Sequence, residues 1–349
     1  MAIQTQAYPE FETWLKEKLG ESRVPITGMI ELTPRCNFNC AHCYMGTMRD
    51  AEPAMDTAFI CQILQQIADA GCFALTFTGG EPLLRKDYRE IHRVAHQLGF
   101  WINLMTNGSL ITTDHIAFLK EHPPRAVEIS LYGGNEESYA TVTGVPGAFA
   151  RVTRNIDAMQ NAGLNVILKS VLLQPVWDSI PAMNAFAAAR GLEILFDAGV
   201  TPDLQSDFSP TLLRLAPACA VDAELDSQVK QKLLSEYHQR NLDGDRKPGF
   251  VCGAGQRGFH VDCTGNLLGC LMLREPAFSL RQHSFAEAWQ KLGAAGPPRF
   301  PENARCNTCD VQHLCGFCPG TVACGEAPPT HEESFYCRVA RFRLEKLQK

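Results

Sequence analysis

The fold is decided at one junction, where the apolar run Gly28–Thr33 (GMIELT) leads into the loop Cys36–Cys43 (CNFNCAHC). The run predicts a β-strand, and the loop places Cys36, Cys40 and Cys43 in a C-x3-C-x2-C pattern. Three thiolates on one short loop can hold one face of a metal centre. A [4Fe–4S] cluster needs four ligands, so three cysteines would leave one iron open to a small molecule. A zinc site is the alternative, and it would need a fourth ligand such as His42.

The composition also points to metal. The chain has 349 residues with 15 cysteines, 45% hydrophobic and 20% charged residues, and a net charge of −6. This charge provides no basic field for nucleic acid or an anionic membrane. The N-terminus has no apolar signal segment, so a cytoplasmic location is expected and a disulfide framework is not. Cysteines at this density in such a chain are expected to bind metal.

Downstream of the junction, strands alternate with helices. The predicted strands are 73–78, 101–105, 126–131, 165–173 and 192–196, and the predicted helices are 56–70, 87–98, 113–120, 149–159 and 180–189. Six β–α units indicate a parallel sheet with helical crossovers. A doubly wound sheet and an open partial barrel fit this pattern equally well. In both, the loops after the carboxyl ends of the strands are expected to carry the function.

The second strand ends in Thr78-Gly79-Gly80-Glu81-Pro82, a turn whose glycines allow close backbone approach. Glu81 can accept a hydrogen bond from a ligand ammonium group. Together, the cysteine loop after strand one and GGEP after strand two resemble the radical S-adenosylmethionine (SAM) superfamily. The resemblance covers roughly residues 25–196, and His42 takes the position that is usually aromatic.

The resemblance implies a partial (β/α)6 TIM-like barrel and a set of site residues. Cys36, Cys40 and Cys43 would hold a [4Fe–4S] cluster whose open iron is chelated by SAM. The other implied SAM-binding residues are His42, Gly79, Gly80, Glu81, Asn107, Ser130 and Lys169. The family splits SAM reductively to a 5′-deoxyadenosyl radical, which abstracts hydrogen from the substrate. A flavodoxin- or ferredoxin-type electron donor is implied as a partner.

The last hundred residues hold nine of the 15 cysteines and predict a second domain. Their spacing resembles the SPASM extension, a small Cys-rich domain that binds auxiliary [4Fe–4S] clusters. One departure is that two residues, rather than three, lie between Cys315 and Cys318. The resemblance implies one cluster on Cys306, Cys309, Cys315 and Cys337.

A first auxiliary cluster would take Cys252, Cys270 and Cys318. Its fourth ligand is open between Cys263, Cys324 and no protein ligand. Zinc is the alternative for Cys306–Cys318, because paired C-x2-C motifs also suit tetrahedral zinc.

The expected domains are a helical cap at 1–27, the barrel at 28–200, a connector at 201–248 and the SPASM domain at 249–349. The cap would contain one short helix with Phe11, Trp14, Leu15 and Leu19 at helical spacing.

SPASM members mostly modify peptides or proteins, so the first hypothesis is peptide maturation by crosslinking or epimerisation. A surplus thiol, Cys324 or Cys263, could then return hydrogen to the substrate radical. A small-molecule or tetrapyrrole side-chain enzyme is the second hypothesis. A sulfatase-maturing enzyme is the third, although such enzymes carry Asp where this chain has Leu271. A non-enzymatic iron–sulfur carrier would explain the cysteines but not GGEP.

Overall fold

The first two hundred residues form six parallel strands with helical crossovers. The structure is a computed structural model and describes Lys18 and residues 22–50, 55–242 and 252–348. The strands are β1 Thr27–Thr33, β2 Ala74–Gly79, β3 Trp101–Thr106, β4 Ala126–Ser130, β5 Val166–Val171 and β6 Glu193–Asp197. The helices between them are α1 Thr57–Asp69, α2 Tyr88–Gln97, α3 Thr113–Glu121, α4 Glu136–Thr143, α5 Ala148–Asn161 and α6 Ile180–Ala188. Of these helices, α4 is absent from the sequence prediction.

The strand order settles which parallel fold this is. The strands lie in the order β6-β5-β4-β3-β2-β1, and each pairs in parallel with its neighbour in the chain. In a doubly wound sheet the order of consecutive strands reverses at a switch point. Strands β1 to β6 show no such reversal. The partial (β/α)6 barrel is therefore confirmed, and the doubly wound alternative is wrong.

The C-terminal region continues the same sheet. Strand β7, Gly258–Val261, pairs in parallel with β1 on its free edge. Strands β8 (Asn266–Leu268) and β9 (Phe278–Ser279) then add antiparallel strands. The start of the expected SPASM domain is thus bonded to the first barrel strand rather than separated from it.

The two faces of the strands carry different kinds of side chain. On β1, Ile30 and Leu32 are buried in the main core with residues of α1 and α2. Since strand side chains alternate, Met29, Glu31 and Thr33 face the barrel interior. This face carries the polar residues that matter below.

The connector between the two cysteine-rich parts is helical and packed. It contains α7 (Pro217–Leu225), which the sequence did not predict, and α8 (Gln228–Leu242). Glu224 of α7 is fully buried and pairs with Arg343 at 2.7 Å. Arg343 belongs to the last helix, α11 (Phe335–Leu347), so the connector is fastened to the C-terminal end.

The remaining elements are short. They are α9 (Phe285–Ala294), α10 (Pro319–Ala323) and the 3-10 helices Gly46–Asp50, Pro82–Leu84, Gln174–Ser179, Ser209–Leu213, Arg305–Thr308 and Gln312–Leu314. The predicted N-terminal helix with Phe11, Trp14, Leu15 and Leu19 lies outside the described residues. Within the part that the structure describes, every helix is too short or too polar to cross a membrane.

Candidate active site

The first cysteine loop is anchored on both sides. Behind it, the backbone N–H groups of Asn39 and Ala41 donate to the carbonyls of Thr143 and Val142 at 2.9 Å each. These carbonyls end helix α4, so the helix that the sequence did not predict holds the loop. Within the loop, the Phe38 N–H lies 3.4 Å from the Cys36 sulfur. The loop is therefore held by contacts with helix α4 and by a contact within the loop itself.

Gly79 and Gly80 lie directly beneath this loop. A Cβ atom on Gly80 would stand 2.2 Å from the Arg35 carbonyl oxygen, and one on Gly79 would stand 2.3 Å from that of Thr33. Gly79 also has a φ of 124°, which favours glycine. The Gly80 N–H donates to Thr33 at 2.8 Å. The two glycines thus allow the backbone of Thr33 and Arg35 to approach closely. Both glycines also line the cavity where a ligand would bind.

Glu81 stands behind the lining of the site. Its carboxylate accepts from the Thr106 hydroxyl at 2.7 Å, the Asn107 N–H at 2.8 Å and the Leu83 N–H at 3.0 Å. Burial raises the pKa of Glu81, while these three hydrogen bonds act against the rise. In this structure the carboxylate joins the ends of β2 and β3. Contact with a ligand ammonium group stays a prediction.

One cavity of about 510 Å³ opens at the carboxyl ends of the strands. Nine of the ten residues predicted to hold the first cluster and SAM line it: Cys36, Cys40, His42, Cys43, Gly79, Gly80, Asn107, Ser130 and Lys169. The exception is Glu81. The sequence-predicted residues are therefore brought together at the end of the barrel where parallel α/β folds bind their ligands.

The far wall of the cavity carries a charge pair. The Lys169 ammonium lies 2.5 Å from the carboxylate of Glu128, whose side chain is almost buried. Ser130 pairs with Lys169 in the sheet register and lies two residues after Glu128, on the same face. Sequence reasoning missed Glu128. A usable signal was present, because an acidic residue in the apolar strand AVEIS must face something other than the core.

Asn107 connects the cavity wall to the cysteine loop. Its amide nitrogen donates to the Asn37 side chain at 2.9 Å and lies 3.9 Å from the Cys36 sulfur. Its amide oxygen accepts from the Ser109 N–H at 2.9 Å. Both ends of the amide are thus fixed, and its N–H₂ group faces the first cysteine.

His42 is held as a neutral ring. It packs edge-on against Tyr132, with centroids 4.5 Å apart. Burial lowers the pKa of His42 to about 4. Among the described residues its Nδ1 atom has no hydrogen-bond partner, although that atom is buried. A buried polar atom without a partner is costly, so this nitrogen marks a place where a ligand could supply one.

A second polar group lies where β1 meets β7, and sequence reasoning missed it. Glu31 is fully buried, and its carboxylate lies 2.9 Å from Arg274 and 3.1 Å from His260. It also accepts from the Cys263 N–H at 3.1 Å. Burial alone would raise the pKa of Glu31, but His260 and Arg274 outweigh burial and lower it to about 2. Glu31 therefore stays ionised and joins the barrel to the C-terminal region.

In the C-terminal region, four cysteines surround one small cavity. They are the four implied for a single auxiliary cluster, namely Cys306, Cys309, Cys315 and Cys337. Burial raises the pKa of Cys315 to about 12, and the neighbouring cysteines Cys337, Cys306 and Cys309 add to the rise. A metal centre binds thiolates, so loading this group requires the release of protons.

Three other cysteines form a separate group. Burial raises the pKa of Cys270, and the charges of Cys318 and Cys252 raise it further. The same mutual effect links Cys252 to Cys318. Cys324 borders this group, while Cys263 lies beside Glu31. The four cysteines that the resemblance implies for one auxiliary cluster thus line one cavity, and the set of Cys252, Cys270 and Cys318 stays a prediction.

Within the described ranges, no group of three or more His, Cys, Asp or Glu side chains is arranged to hold a single metal ion. The first cysteine group offers hydrogen bonding to sulfur of the kind that tunes iron–sulfur clusters.

Residues 30–180 match the family model described as the radical SAM superfamily. Over these residues the chain is an enzyme similar to the radical SAM superfamily, whose members use SAM and a [4Fe–4S] cluster. Its Cys-rich C-terminal region resembles the SPASM type.

Similar curated proteins carry different activities. The "AdoMet-dependent heme synthase" of Methanosarcina barkeri is 24% identical over 88% of this chain and 94% of its own length. The subtilosin biosynthesis protein AlbA of Bacillus subtilis is 24% identical over 86% of this chain and 68% of its own. These radical SAM relatives show the class of chemistry without showing one substrate.

A solved structure shows the same fold. SuiB of Streptococcus suis, bound to S-adenosylmethionine, superposes with a TM-score of 0.70 at 15% identity. The superposition covers 96% of this chain and 84% of SuiB. The partial barrel and the C-terminal region are therefore arranged as in a known radical SAM fold.

Proposed function

We propose that this radical SAM enzyme abstracts hydrogen from a peptide or small protein and matures it by crosslinking or epimerisation. The convergence of Cys36, Cys40 and Cys43 with Gly79 and Gly80 on one cavity carries the radical SAM part of the proposal. When bound, the [4Fe–4S] cluster and SAM supply an electron and a carbon radical that attacks an unactivated C–H bond.

Different residues would bind the cluster and SAM. Cys36, Cys40 and Cys43 would hold the cluster, and the Gly79–Gly80 backbone would meet the methionine amino group of SAM. Asn107 faces Cys36 and would restrict how the cofactor sits.

On the far wall, Ser130 would bond the ribose and Lys169 the methionine carboxylate. Lys169 is already neutralised by Glu128, so a bound carboxylate would share the ammonium group rather than meet a free charge.

The walls of the cavity also protect a reactive radical from water. Phe38, Tyr132 and Phe196 line it together with the neutral ring of His42. Lys230 and Leu233 of α8 lie at its edge, so the connector covers part of the opening. A cavity that is partly covered and has aromatic walls suits a hydrogen-abstracting enzyme, because bulk reductant would quench the radical.

A peptide substrate is favoured by the relative AlbA, which is named for bacteriocin biosynthesis.

A tetrapyrrole side chain is the second candidate substrate. The observation that favours it is the match to the heme synthase over 94% of that relative's length. In both cases a flavodoxin- or ferredoxin-type protein is proposed to deliver the electron. Two auxiliary clusters, on the two C-terminal cysteine groups, are part of the proposal and predict about twelve irons per chain after anaerobic reconstitution.

The test is a substrate panel on the reconstituted enzyme with SAM and dithionite. The panel contains small precursor peptides encoded beside the gene, a Cys- or Ser-containing sulfatase-type peptide and a propionate-bearing iron tetrapyrrole. 5′-Deoxyadenosine and substrate mass are followed together by mass spectrometry. We expect a peptide to change in step with deoxyadenosine, either by losing two hydrogens on crosslinking or, when the reaction is run in deuterated water, by gaining one deuterium on epimerisation. Turnover of the tetrapyrrole alone would overturn the peptide assignment, and formylglycine would indicate sulfatase maturation.

A further inference from the structure

The first auxiliary group lacks an assigned fourth ligand. Cys252, Cys270 and Cys318 provide three thiolates, and a four-iron cluster takes four ligands. Two cysteines, Cys324 and Cys263, remain available in the C-terminal region. Which of them belongs to the group decides whether this cluster has an open iron.

Helix α10 places Cys324 at the group. Cys318 is the residue before its first turn and Cys324 the residue after its last, so one short helix carries both. This helix packs against the turn that follows Cys270. A Cβ atom on Gly320 would stand 2.8 Å from Met272, and the Cys324 sulfur lies 3.9 Å from the Met272 carbonyl oxygen. Cys324 is thus fixed beside both Cys270 and Cys318.

The surroundings of Cys324 are not those of a packing cysteine. The side chain is 2% exposed, yet the charges that act on it come from Cys318, Arg274, Asp203 and Cys270. Structural cysteines usually sit among apolar side chains and behave as small hydrophobic residues. A sulfur that is buried among other sulfurs and charges is better explained as a ligand.

Cys263 belongs to a different environment. Its N–H donates to Glu31 at 3.1 Å, and the groups that act on its thiol are Glu31, Asp262 and Arg274. It follows β7 at the barrel junction and is 4% exposed. The two surplus cysteines, which the spacing alone could not distinguish, are therefore separated by the fold.

We propose that Cys324 is the fourth ligand of an auxiliary [4Fe–4S] cluster held by Cys252, Cys270 and Cys318. This inference rests on the auxiliary clusters of the proposed function. A cluster with four cysteine ligands has no open iron, so it transfers electrons and does not bind substrate directly. Helix α10 then replaces the usual x3 spacing, because the helix carries one ligand at each end. Cys263 is left as a free thiol beside Glu31.

The experiment uses a chain in which the first cluster is removed. The parent is the full-length variant with Cys36→Ala, Cys40→Ala and Cys43→Ala, which should retain about eight irons after anaerobic reconstitution. Cys324→Ala, Cys324→Ser and the matched control Cys263→Ala are each made in this parent. Iron content is measured, and EPR spectra are recorded after mild oxidation, which converts a cluster with an open iron to [3Fe–4S]. Circular dichroism confirms that each variant is folded, and Cys324→Ser preserves packing if the alanine variant is unstable.

We expect Cys324→Ala to show a [3Fe–4S] signal or to drop toward about four irons, while Cys263→Ala keeps its iron and stays silent. The reverse pattern would assign Cys263 as the ligand and overturn the proposal. A [3Fe–4S] signal already present in the parent would show an open iron and would also overturn it. A parent that binds no iron would instead refute the auxiliary clusters of the proposed function.

Discussion

The two cysteine-rich regions of this enzyme are built in opposite ways. Cys36, Cys40 and Cys43 lie within eight residues on one loop, which the barrel holds through helix α4 and Gly80. The C-terminal cysteines come from segments spread between residues 252 and 337. They are joined by loops, 3-10 helices and the short helix α10.

The cores of the two regions differ in the same way. The barrel and its helices share one large apolar core, which α9 extends. Among the described residues around Cys306–Cys337, the apolar clusters contain few side chains. One of them consists of Phe300, Phe317 and Tyr336. The barrel therefore presents its cysteines on a large apolar core, whereas we expect the segment Cys306–Cys337 to depend more on bound metal for its stability.

The largest effect is expected from a substitution in the cysteine loop of the barrel, and it should change activity without changing stability. Cys40→Ala should reduce reductive SAM cleavage to background, because two cysteines cannot hold the cluster that SAM must bind. The folded state should be unaffected, since the barrel positions this loop without metal. Deoxyadenosine formation under dithionite and thermal unfolding are the two measurements. Deoxyadenosine at the normal rate would show that the cluster is held elsewhere.

Iron removal is expected to separate the two regions. Without iron, amide protection of residues 305–323 should fall by more than about tenfold, because the ligands there are held by the cluster more than by packing. Protection of strands β1–β6 should remain. Hydrogen exchange of the reconstituted and iron-free protein measures this difference. Equal loss in both regions would show that they form one cooperative unit.

This contrast also explains what the sequence could predict. Apolar strand-like runs that alternate with helical patterns identified the six parallel β–α units. The cysteine loop together with Gly79 and Gly80 located the site. These signals are local, because each depends on neighbouring residues in the chain. The pairing of β7 with β1 and the position of α7 are set by contacts between distant segments, and no local pattern encodes them.

The polar residues that were missed had a signal of their own. Glu31 and Glu128 each interrupt an apolar strand, and both are buried. Strand periodicity shows that such a residue points away from the helices, but not which partner it meets. The partners of Glu31 come from β7 and beyond, more than two hundred residues later.

The junction between the two regions gives the next largest effect. Glu31→Gln should lower the free energy of unfolding by about 3 kcal/mol, since it leaves the buried side of Arg274 without its partner. The control is Asp310→Asn, which breaks the exposed pair with Arg341 and should cost less than about 1 kcal/mol. Denaturant unfolding measures both. Equal costs would mean that the junction does not couple the regions.

Acid should remove the difference in stability between the wild-type protein and Glu31→Gln. The pKa of Glu31 is about 2 in the folded protein against an ordinary value of 4.5, so its ionised form stabilises the fold above pH 4.5. As the pH falls from 4.5 toward 2, the carboxylate is protonated first in the unfolded chain and that stabilisation is lost. The gap between the wild-type protein and Glu31→Gln should shrink over this window. A gap independent of pH would assign the effect to packing.

The smallest effect tests how firmly the barrel holds its cysteine loop. Gly80→Ala would place a Cβ atom 2.2 Å from the Arg35 carbonyl oxygen, a backbone atom that cannot move without moving Cys36. We expect a loss of about 2 kcal/mol in stability together with weaker SAM binding. Gly253→Ala is the control, because nothing lies within 4 Å of the added methyl group there. Since the barrel positions its loop by contact rather than by metal, the loss in Gly80→Ala should be the same with and without iron. A loss that appears only in the reconstituted protein would mean that the cluster, and not the barrel, holds the loop in place.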